Sequence, residues 1–142
     1  MIGLDTNILA RYYIEGATDV ETQRQRLAAR RLIESGQPLS ICKTVILELE
    51  WVMRGYYGFS RPEIAGVFRH LLSLPNVTIE DRSTVEYAIS SFDEGLDFAD
   101  SIHHASFRNC ESVASFDKQG FANRARRLGL SPVVSVPVLP PR

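Results

Sequence analysis

The stretch MIGLDTNILARYYIEG, residues 1–16, determines how the rest of the chain is interpreted. It begins with a short apolar run, Met1–Leu4, which has the length of a buried strand, and it continues into a helical pattern. Asp5 stands between the two, so we expect it at the carboxyl edge of a sheet, where open α/β folds place their ligands. The local alternative is that Asp5 or Thr6 caps the helix, a role that does not forbid a second one.

Strand-length apolar runs alternate with longer helical patterns along the whole chain, which predicts an α/β protein with a parallel sheet covered by helices. The predicted strands are Met1–Leu4, Leu39–Cys42, Val77–Ile79, Ser112–Ser115 and Val133–Val136. The main predicted helices are Asp19–Glu34, ended by Gly36, then Thr44–Arg54, Arg61–Leu72 with Pro62 in its first turn, Ser83–Phe92, Asp97–Arg108 and Lys118–Arg127. Because no repeat or linker divides the chain, we expect one domain over residues 1–142.

Composition excludes several classes of protein. With 44% hydrophobic and 23% charged residues the chain resembles ordinary globular proteins, and its net charge of −1 means that any nucleic-acid binding needs a local basic patch. Cys42 and Cys110 lack a metal-ligand spacing and are too few for a disulfide scaffold, so a reducing cytoplasm is expected. No basic leader precedes an apolar run at the start, so we expect neither a secretion signal nor a membrane anchor.

Two glutamates on the predicted helix Thr44–Arg54 are interpreted differently. A helical wheel places Glu48 on the flank of the apolar face, where an isolated carboxylate is costly. Glu50 faces Arg54 four residues on, which predicts an ordinary surface ion pair. Glu48 is therefore the candidate functional residue, and its structural alternative is a buried salt bridge to an arginine.

Three aspartates in the second half of the chain follow the same logic. Asp97 and Asp100 lie at a predicted helix start, where carboxylates complement the helix dipole, and the wheel puts His104 on their side, opposite the apolar stripe. Asp117 directly follows a predicted strand. Capping competes with chemistry at each aspartate, and for His103 and His104 a structural or solvated role is expected before a catalytic one.

Such a set of carboxylates opposes folding unless something neutralises it. Two unit charges about 4 Å apart repel by roughly 1 kcal/mol in water and about 4 kcal/mol at an effective dielectric constant near 20. A bound divalent cation reverses the sign, and donors that are all oxygen select magnesium or manganese. These ions activate water and stabilise charge on a phosphodiester, so the carboxylates predict hydrolysis of a phosphate ester.

Four motifs in order resemble those of PIN-domain ribonucleases, and more narrowly those of the VapC toxins of bacterial toxin–antitoxin pairs. They are Leu4–Tyr12, Val45–Val52, Asp97–Ala105 and Ser115–Asp117. The resemblance implies that Asp5, Glu48, Asp100 and Asp117 are catalytic metal ligands, with Asp97 as an accessory ligand. It also implies that Asn7 and Ser115 support their acidic neighbours and that Arg11 lies near the pocket, in contact with RNA or antitoxin.

The same resemblance implies a three-layer α/β/α sandwich with a central parallel sheet of about five strands. It further implies a homodimer, cleavage of structured cellular RNA with magnesium or manganese, and a VapB-like antitoxin whose carboxyl-terminal segment occupies a groove. Two alternatives stay open. One is a catalytically idle PIN-like module that binds RNA or protein. The other is a phosphoryl-aspartate protein, which the residues disfavour because no second acid stands beside Asp5 and the only lysines are Lys43 and Lys118.

Overall fold

The computed structural model describes residues 1–16 and 19–142, which fall into two compact units, Met1–Arg82 and Ser83–Arg142. Each unit combines parallel strands with helices, so the predicted α/β class is confirmed. The expectation of one domain over residues 1–142 stays a prediction. None of the described helices has both the length and the apolar character needed to cross a bilayer.

The first unit contains a three-stranded parallel sheet in the order β1 (Ile2–Gly3), β2 (Leu39–Ile41) and β3 (Val77–Ile79). In β2 and β3 the first and last residues are buried, whereas the middle residues are more exposed. These middle residues, Ser40 and Thr78, are partners in the register. Alternation with period two is expected when side chains point to opposite faces of a sheet. The buried face of this sheet contributes to the core.

Four helices surround these strands in sequence: α1 (Thr6–Tyr13), α2 (Val20–Ile33), α3 (Lys43–Trp51) and α4 (Arg61–Ser73). A π-helical turn, Val52–Tyr56, extends α3. Helix α1 packs against α2 and α3, and α4 packs against β3. Large apolar side chains that are buried in this unit are Leu9, Ile33, Leu39, Ile41, Ile46, Leu49, Met53, Ile64, Phe68 and Leu71.

The predicted ends of the helix α2 are confirmed by the residues that cap it. The side chain of Asp19 accepts a hydrogen bond from the Thr22 amide at 2.9 Å, so it is the N-cap of α2. After the C-cap Glu34, the chain turns at Gly36, whose φ of 80° lies in the left-handed region that glycine tolerates best.

The second unit pairs β4 (Ser112–Ala114) with β5 (Val133–Ser135) in parallel. Its helices are α5 (Arg82–Asp93), which begins one residue before the unit, α6 (Phe98–Ser106) and α7 (Asn123–Arg127). A π-helical turn, Lys118–Ala122, precedes α7, so the helix predicted over 118–127 consists of two pieces. The core of this unit consists of Leu96, Val113, Phe121, Ala122, Ala125 and Val134, with Leu128 and Leu130 packed against it.

All five predicted strands are found among the described residues, and every pairing between them is parallel. The hydrogen bonds form two sheets, of three strands in the first unit and two in the second, where one central sheet of about five was expected. Strands of only two or three residues have few ladder hydrogen bonds with which to extend a sheet. The strand positions were therefore predicted better than their pairing.

Helix α4 begins with a capping box, which generates a test of stability. The Ser60 hydroxyl accepts a hydrogen bond from the Glu63 amide at 3.3 Å, and Glu63 Oε1 accepts one from the Ser60 amide at 2.9 Å. Ser60→Ala should lower the free energy of unfolding by about 1 kcal/mol in urea denaturation. Ser90→Ala, at an exposed position inside α5, is the matched control and should leave stability unchanged or slightly higher.

The same box adds a pH dependence. Hydrogen bonds from the Ser60 amide and hydroxyl hold the pKa of Glu63 below its usual value, so its stabilisation is present above the unfolded-state pKa. It is lost as the pH falls through the lowered folded-state pKa. Glu63→Gln should therefore destabilise the chain at neutral pH and lose this effect in strong acid; an effect of equal size at both would contradict the assignment.

Candidate active site

Asp5 lies between β1 and α1, at the strand end where it was predicted. It is exposed, and its Oδ1 accepts a hydrogen bond from the Thr6 amide at 2.8 Å, so it is also the N-cap of α1. Thr6 is buried, and among the described residues its hydroxyl has no hydrogen-bond partner. A buried hydroxyl without a partner is costly, so this junction is not optimised for stability. Sequence reasoning considered Thr6 only as a cap and missed this feature.

The two glutamates of α3 differ from their predicted environments. Glu48 is exposed, and no hydrogen bond or ion pair links its carboxylate to any described residue, so the alternative of a buried salt bridge is not found there. Glu50 is buried, with 2% of its surface exposed, and accepts hydrogen bonds from Arg54 Nε at 2.8 Å and Nη2 at 3.4 Å. The ion pair is confirmed, but its description as a surface pair was wrong.

The error has a physical cause in the helical wheel. The wheel counted Trp51 as inward-facing, yet 60% of its surface is exposed. The buried positions of α3 and its extension are Ile46, Leu49, Glu50 and Met53, which follow the spacing of one helix face. Glu50 lies on that face because Arg54 neutralises it, and Glu48 lies outside it.

Asp97 and Asp117 each hold the start of a helical segment in the second unit. Asp97 is the N-cap of α6 and accepts a hydrogen bond from the Asp100 amide at 3.2 Å. Asp117 accepts from the Gly120 amide at 3.0 Å and the Phe121 amide at 3.2 Å. Ser115, the predicted supporting residue, accepts a hydrogen bond from the Asp117 amide at 3.1 Å.

Asp100 stands apart from these caps. It is half-buried, and no hydrogen bond to its side chain is found in the described part of the chain. Burial, and then the carboxylates of Asp97 and Asp117, raise the pKa of Asp100, while His103 and Arg124 oppose that rise. The structure therefore places Asp97 and Asp117 within electrostatic reach of Asp100, and the ionised form of Asp100 costs stability at neutral pH.

His104 does not share the side of Asp97 and Asp100, and that prediction was wrong. It is fully buried, and its Nε2 lies 2.8 Å from the carbonyl oxygen of Pro132. Its ring also stacks on that of Tyr87, at a centroid distance of 6.2 Å. The carbonyl partner allows the imidazole to be buried, and since that partner is distant in sequence the wheel could not predict it.

Two residues assigned supporting or binding roles lie along α1. Asn7 is exposed, and Arg11 donates from Nε to the side-chain oxygen of Gln25 on α2 at 2.8 Å. Both line a cavity of about 320 Å³ with Ile8, Gln25, Ala28, Ala29 and Leu32. Arg11 is thus held against α2, with its guanidinium beside this cavity.

The donor chemistry fits a hard divalent cation, although no ready-made cluster is present. In the described ranges, no three His, Cys, Asp or Glu side chains are positioned to hold a metal ion. In the second unit the carboxylates of Asp97 and Asp117 lie within electrostatic reach of Asp100, and oxygen donors suit magnesium or manganese. In the first unit Asp5 and Glu48 are both exposed, and α1 and α3 pack against each other.

Gly120 was not singled out from the sequence, yet it positions Asp117. A Cβ at Gly120 would lie 2.5 Å from Oδ2 and 2.8 Å from Oδ1 of Asp117, so only glycine allows the carboxylate to sit over this turn. The signal available in the sequence was a glycine three residues after an acidic strand end.

Gly120→Ala should therefore displace the Asp117 carboxylate from its amide partners while keeping its charge. We expect the free energy of unfolding to fall by about 1 kcal/mol, the usual effect of losing an N-cap. Gly66→Ala in α4 is the matched control, because nothing lies within 4 Å of its added Cβ, and alanine should stabilise that helix. Equal effects of the two variants in urea denaturation would show that Asp117 is not held as described.

Comparison with known proteins agrees with the motifs. Residues 2–127 match the PIN domain, so the match extends from β1 in the first unit to α7 in the second and includes all five predicted acidic residues. PIN domains are generally metal-dependent nucleases. A search of curated proteins found no match. Because the match covers most of its length, the chain belongs to the PIN domain family.

Proposed function

We propose that this chain is a metal-dependent endoribonuclease that cleaves structured cellular RNA as the toxin of a toxin–antitoxin pair. The observation that carries the proposal is Asp100, a half-buried carboxylate without a hydrogen-bond partner among the described residues, whose ionisation is opposed first by burial and then by Asp97 and Asp117. A perturbed carboxylate in such a setting favours a functional role over a structural one. Membership of a family of nucleases supports the chemistry.

The proposed ligands of magnesium or manganese are Asp5, Glu48 and Asp100. Asp97 and Asp117 would influence the binding of a second ion or the water shell of the first ion. When bound, the cation stabilises negative charge on the phosphodiester and makes water a better nucleophile. Among the described residues, no ion pair engages the carboxylate of Glu48 or of Asp100, so their oxygens are free to bind a cation, although His103 and Arg124 offset part of the charge at Asp100.

The backbone prepares the aspartates for this role. Amides hold Asp5, Asp97 and Asp117 at fixed positions, so ordering these side chains costs little further entropy when a ligand binds. Asp5 has one oxygen bound by the Thr6 amide, which leaves its other oxygen available. Capping and ligation are therefore compatible at the same residue.

Replacing the proposed ligands tests the nuclease. Asp5→Asn, Glu48→Gln and Asp100→Asn should each lower the rate of RNA cleavage with added magnesium by about 100-fold or more, since loss of a ligand removes several kcal/mol of charge stabilisation. Glu111→Gln, at an exposed acidic residue outside the proposed site, should cleave like the wild type. Wild-type rates in clean preparations of all three variants would end the proposal.

Two other functions predict different results. A catalytically idle module would bind RNA without cleaving it in any divalent ion. A phosphoryl-aspartate protein would bind beryllofluoride at Asp5, whereas the nuclease should not.

An antitoxin partner is supported by concave surfaces on the first unit. Two cavities of about 450 Å³ and 550 Å³ share Tyr13, Glu15 and His70 as lining residues, so they adjoin. They lie among α1, α2 and α4, and the hydroxyl of Tyr13 is 2.6 Å from Nδ1 of His70. Arg26 and Arg30 line the cavity of about 450 Å³, where they pair with Glu15 and Glu34. An extended peptide whose acidic side chains replace these partners and whose apolar side chains fill the cavities would suit this groove. We include a homodimer in this proposal.

The toxin role makes a prediction in cells. Expression of the wild-type chain in the bacterial cytoplasm should arrest growth, and expression of Asp5→Asn should not, because arrest depends on cleavage of cellular RNA. Co-expression of a small antitoxin encoded in the adjacent reading frame should restore growth. Colony counts after induction measure the effect, and undiminished growth with abundant wild-type chain that cleaves RNA in vitro would reject the toxin role while keeping the nuclease.

A further inference from the structure

Three exposed aromatic side chains lie at the end of α3 and just beyond it. Trp51, Tyr56 and Tyr57 have 60%, 77% and 40% of their surfaces exposed, and we call them the aromatic patch. The rings of Tyr56 and Tyr57 are 4.9 Å apart, and the indole of Trp51 lies beside Gly55, where a Cβ would be 3.8 Å from its Nε1. Exposed apolar groups that adjoin in this way mark interaction sites.

The π-helical turn Val52–Tyr56 is anchored to the core between the exposed aromatic side chains. Met53, within the π-helical turn, is fully buried, and its carbonyl oxygen accepts a hydrogen bond from the Phe59 amide at 2.9 Å. The turn is thus fixed to the core while Trp51 and Tyr56 on either side of Met53 remain exposed. Single π-helical turns within α-helices are frequent at functional sites.

The charge around the patch gives a polyanion only modest attraction. Residues 51–61 contain Arg54 and Arg61 and no Asp or Glu. Buried Glu50 orients the Arg54 guanidinium, and 51% of the Arg54 side chain stays exposed. Glu50 also offsets much of the charge on Arg54, so electrostatic attraction is modest and ring contacts must supply most of the affinity.

We infer that the aromatic patch stacks the bases of a single-stranded segment of the RNA substrate, an inference that rests on the nuclease function proposed above. Glu48 lies three residues before Trp51 on α3, both are exposed, and residues three apart are neighbours on a helix surface. Stacking on aromatic rings tolerates any base sequence. In structured RNA the bases open to such contact are in loops and bulges, so the patch would direct cleavage to unpaired segments.

A second copy of this chain is the competing occupant, since Trp and Tyr also favour protein interfaces. The area argues against it. Three aromatic side chains of about 150–250 Å² each, exposed by the fractions above, offer at most about 450 Å², whereas a stable interface needs about 800 Å² per partner. A stacked strand of bases requires far less surface.

Trp51 is the single tryptophan of the chain, so its emission reports on the patch directly. Short oligothymidylate, which lacks the 2′-hydroxyl, is titrated without metal, so that no cleavage occurs. We expect the oligothymidylate to quench the fluorescence of Trp51. The concentration at the midpoint of this quenching should equal the midpoint of the binding curve measured by the anisotropy of a labelled oligothymidylate. Trp51→Ala and Tyr56→Ala should each weaken binding about tenfold, and Trp51→Phe should retain most of the affinity.

The control is Phe107→Ala, which removes another exposed ring, 44% exposed, and should bind like the wild type. The dependence of log Kd on log salt concentration should be the same in Trp51→Ala as in the wild type, because stacking releases no counterions. Unquenched Trp51, or equal affinities for Trp51→Ala, Tyr56→Ala and Phe107→Ala, would overturn the inference. Self-association that Trp51→Ala abolishes, with oligonucleotide affinity unchanged, would overturn it in favour of a dimer interface.

Cleavage assays with magnesium separate this inference from the function on which it rests. Binding that quenches Trp51 in a chain that never cleaves RNA would support the stacking surface and reject the nuclease. Cleavage of unpaired segments at wild-type efficiency by Trp51→Ala would reject the stacking surface and keep the nuclease.

Discussion

Hydrogen bonds from backbone amides at helix starts are the interaction on which the acidic residues of this protein depend. Asp5, Asp97 and Asp117 each accept such bonds at the point where a strand or loop enters a helical segment. The amides offset part of the repulsion that gathered carboxylates produce, and they orient each side chain before any ligand arrives. Stability and function therefore use the same residues, and a cap at one of these positions does not argue against a site.

Glu48 and Asp100 lack this support, and that contrast separates their roles. Among the described residues, no hydrogen bond is made to either carboxylate, and burial, Asp97 and Asp117 oppose the ionisation of Asp100. Capping explains the three supported aspartates without any function. Capping does not explain Asp100, which is half-buried, so Asp100 carries more of the functional argument than the three capping aspartates, whereas Glu48 is exposed and water can solvate it.

Local patterns predicted the elements well because strands, helices and caps depend on near neighbours. All five strands and the ends of α2 and α4 agree with the spacing of apolar residues, Pro62 and Gly36. The two failures have different causes. Glu50 was assigned to the wrong face of α3 although its partner Arg54 was predicted, and the burial of His104 depends on the carbonyl of Pro132, 28 residues away. Within the second unit Asp97 and Asp117 lie close enough to affect the ionisation of Asp100, whereas the shared metal site stays a prediction.

The buried carboxylate of Glu50 also constrains the order in which substitutions at positions 50 and 54 can accumulate during evolution. If Arg54 were lost first, a negative charge would stay in the interior without compensation, a change that costs several kcal/mol. If Glu50 were lost first, Arg54 would remain half-exposed and water would solvate it. Descendants of this chain should therefore reach an uncharged pair through position 50, and homologues with a neutral residue at 50 and arginine at 54 should outnumber those with the reverse combination.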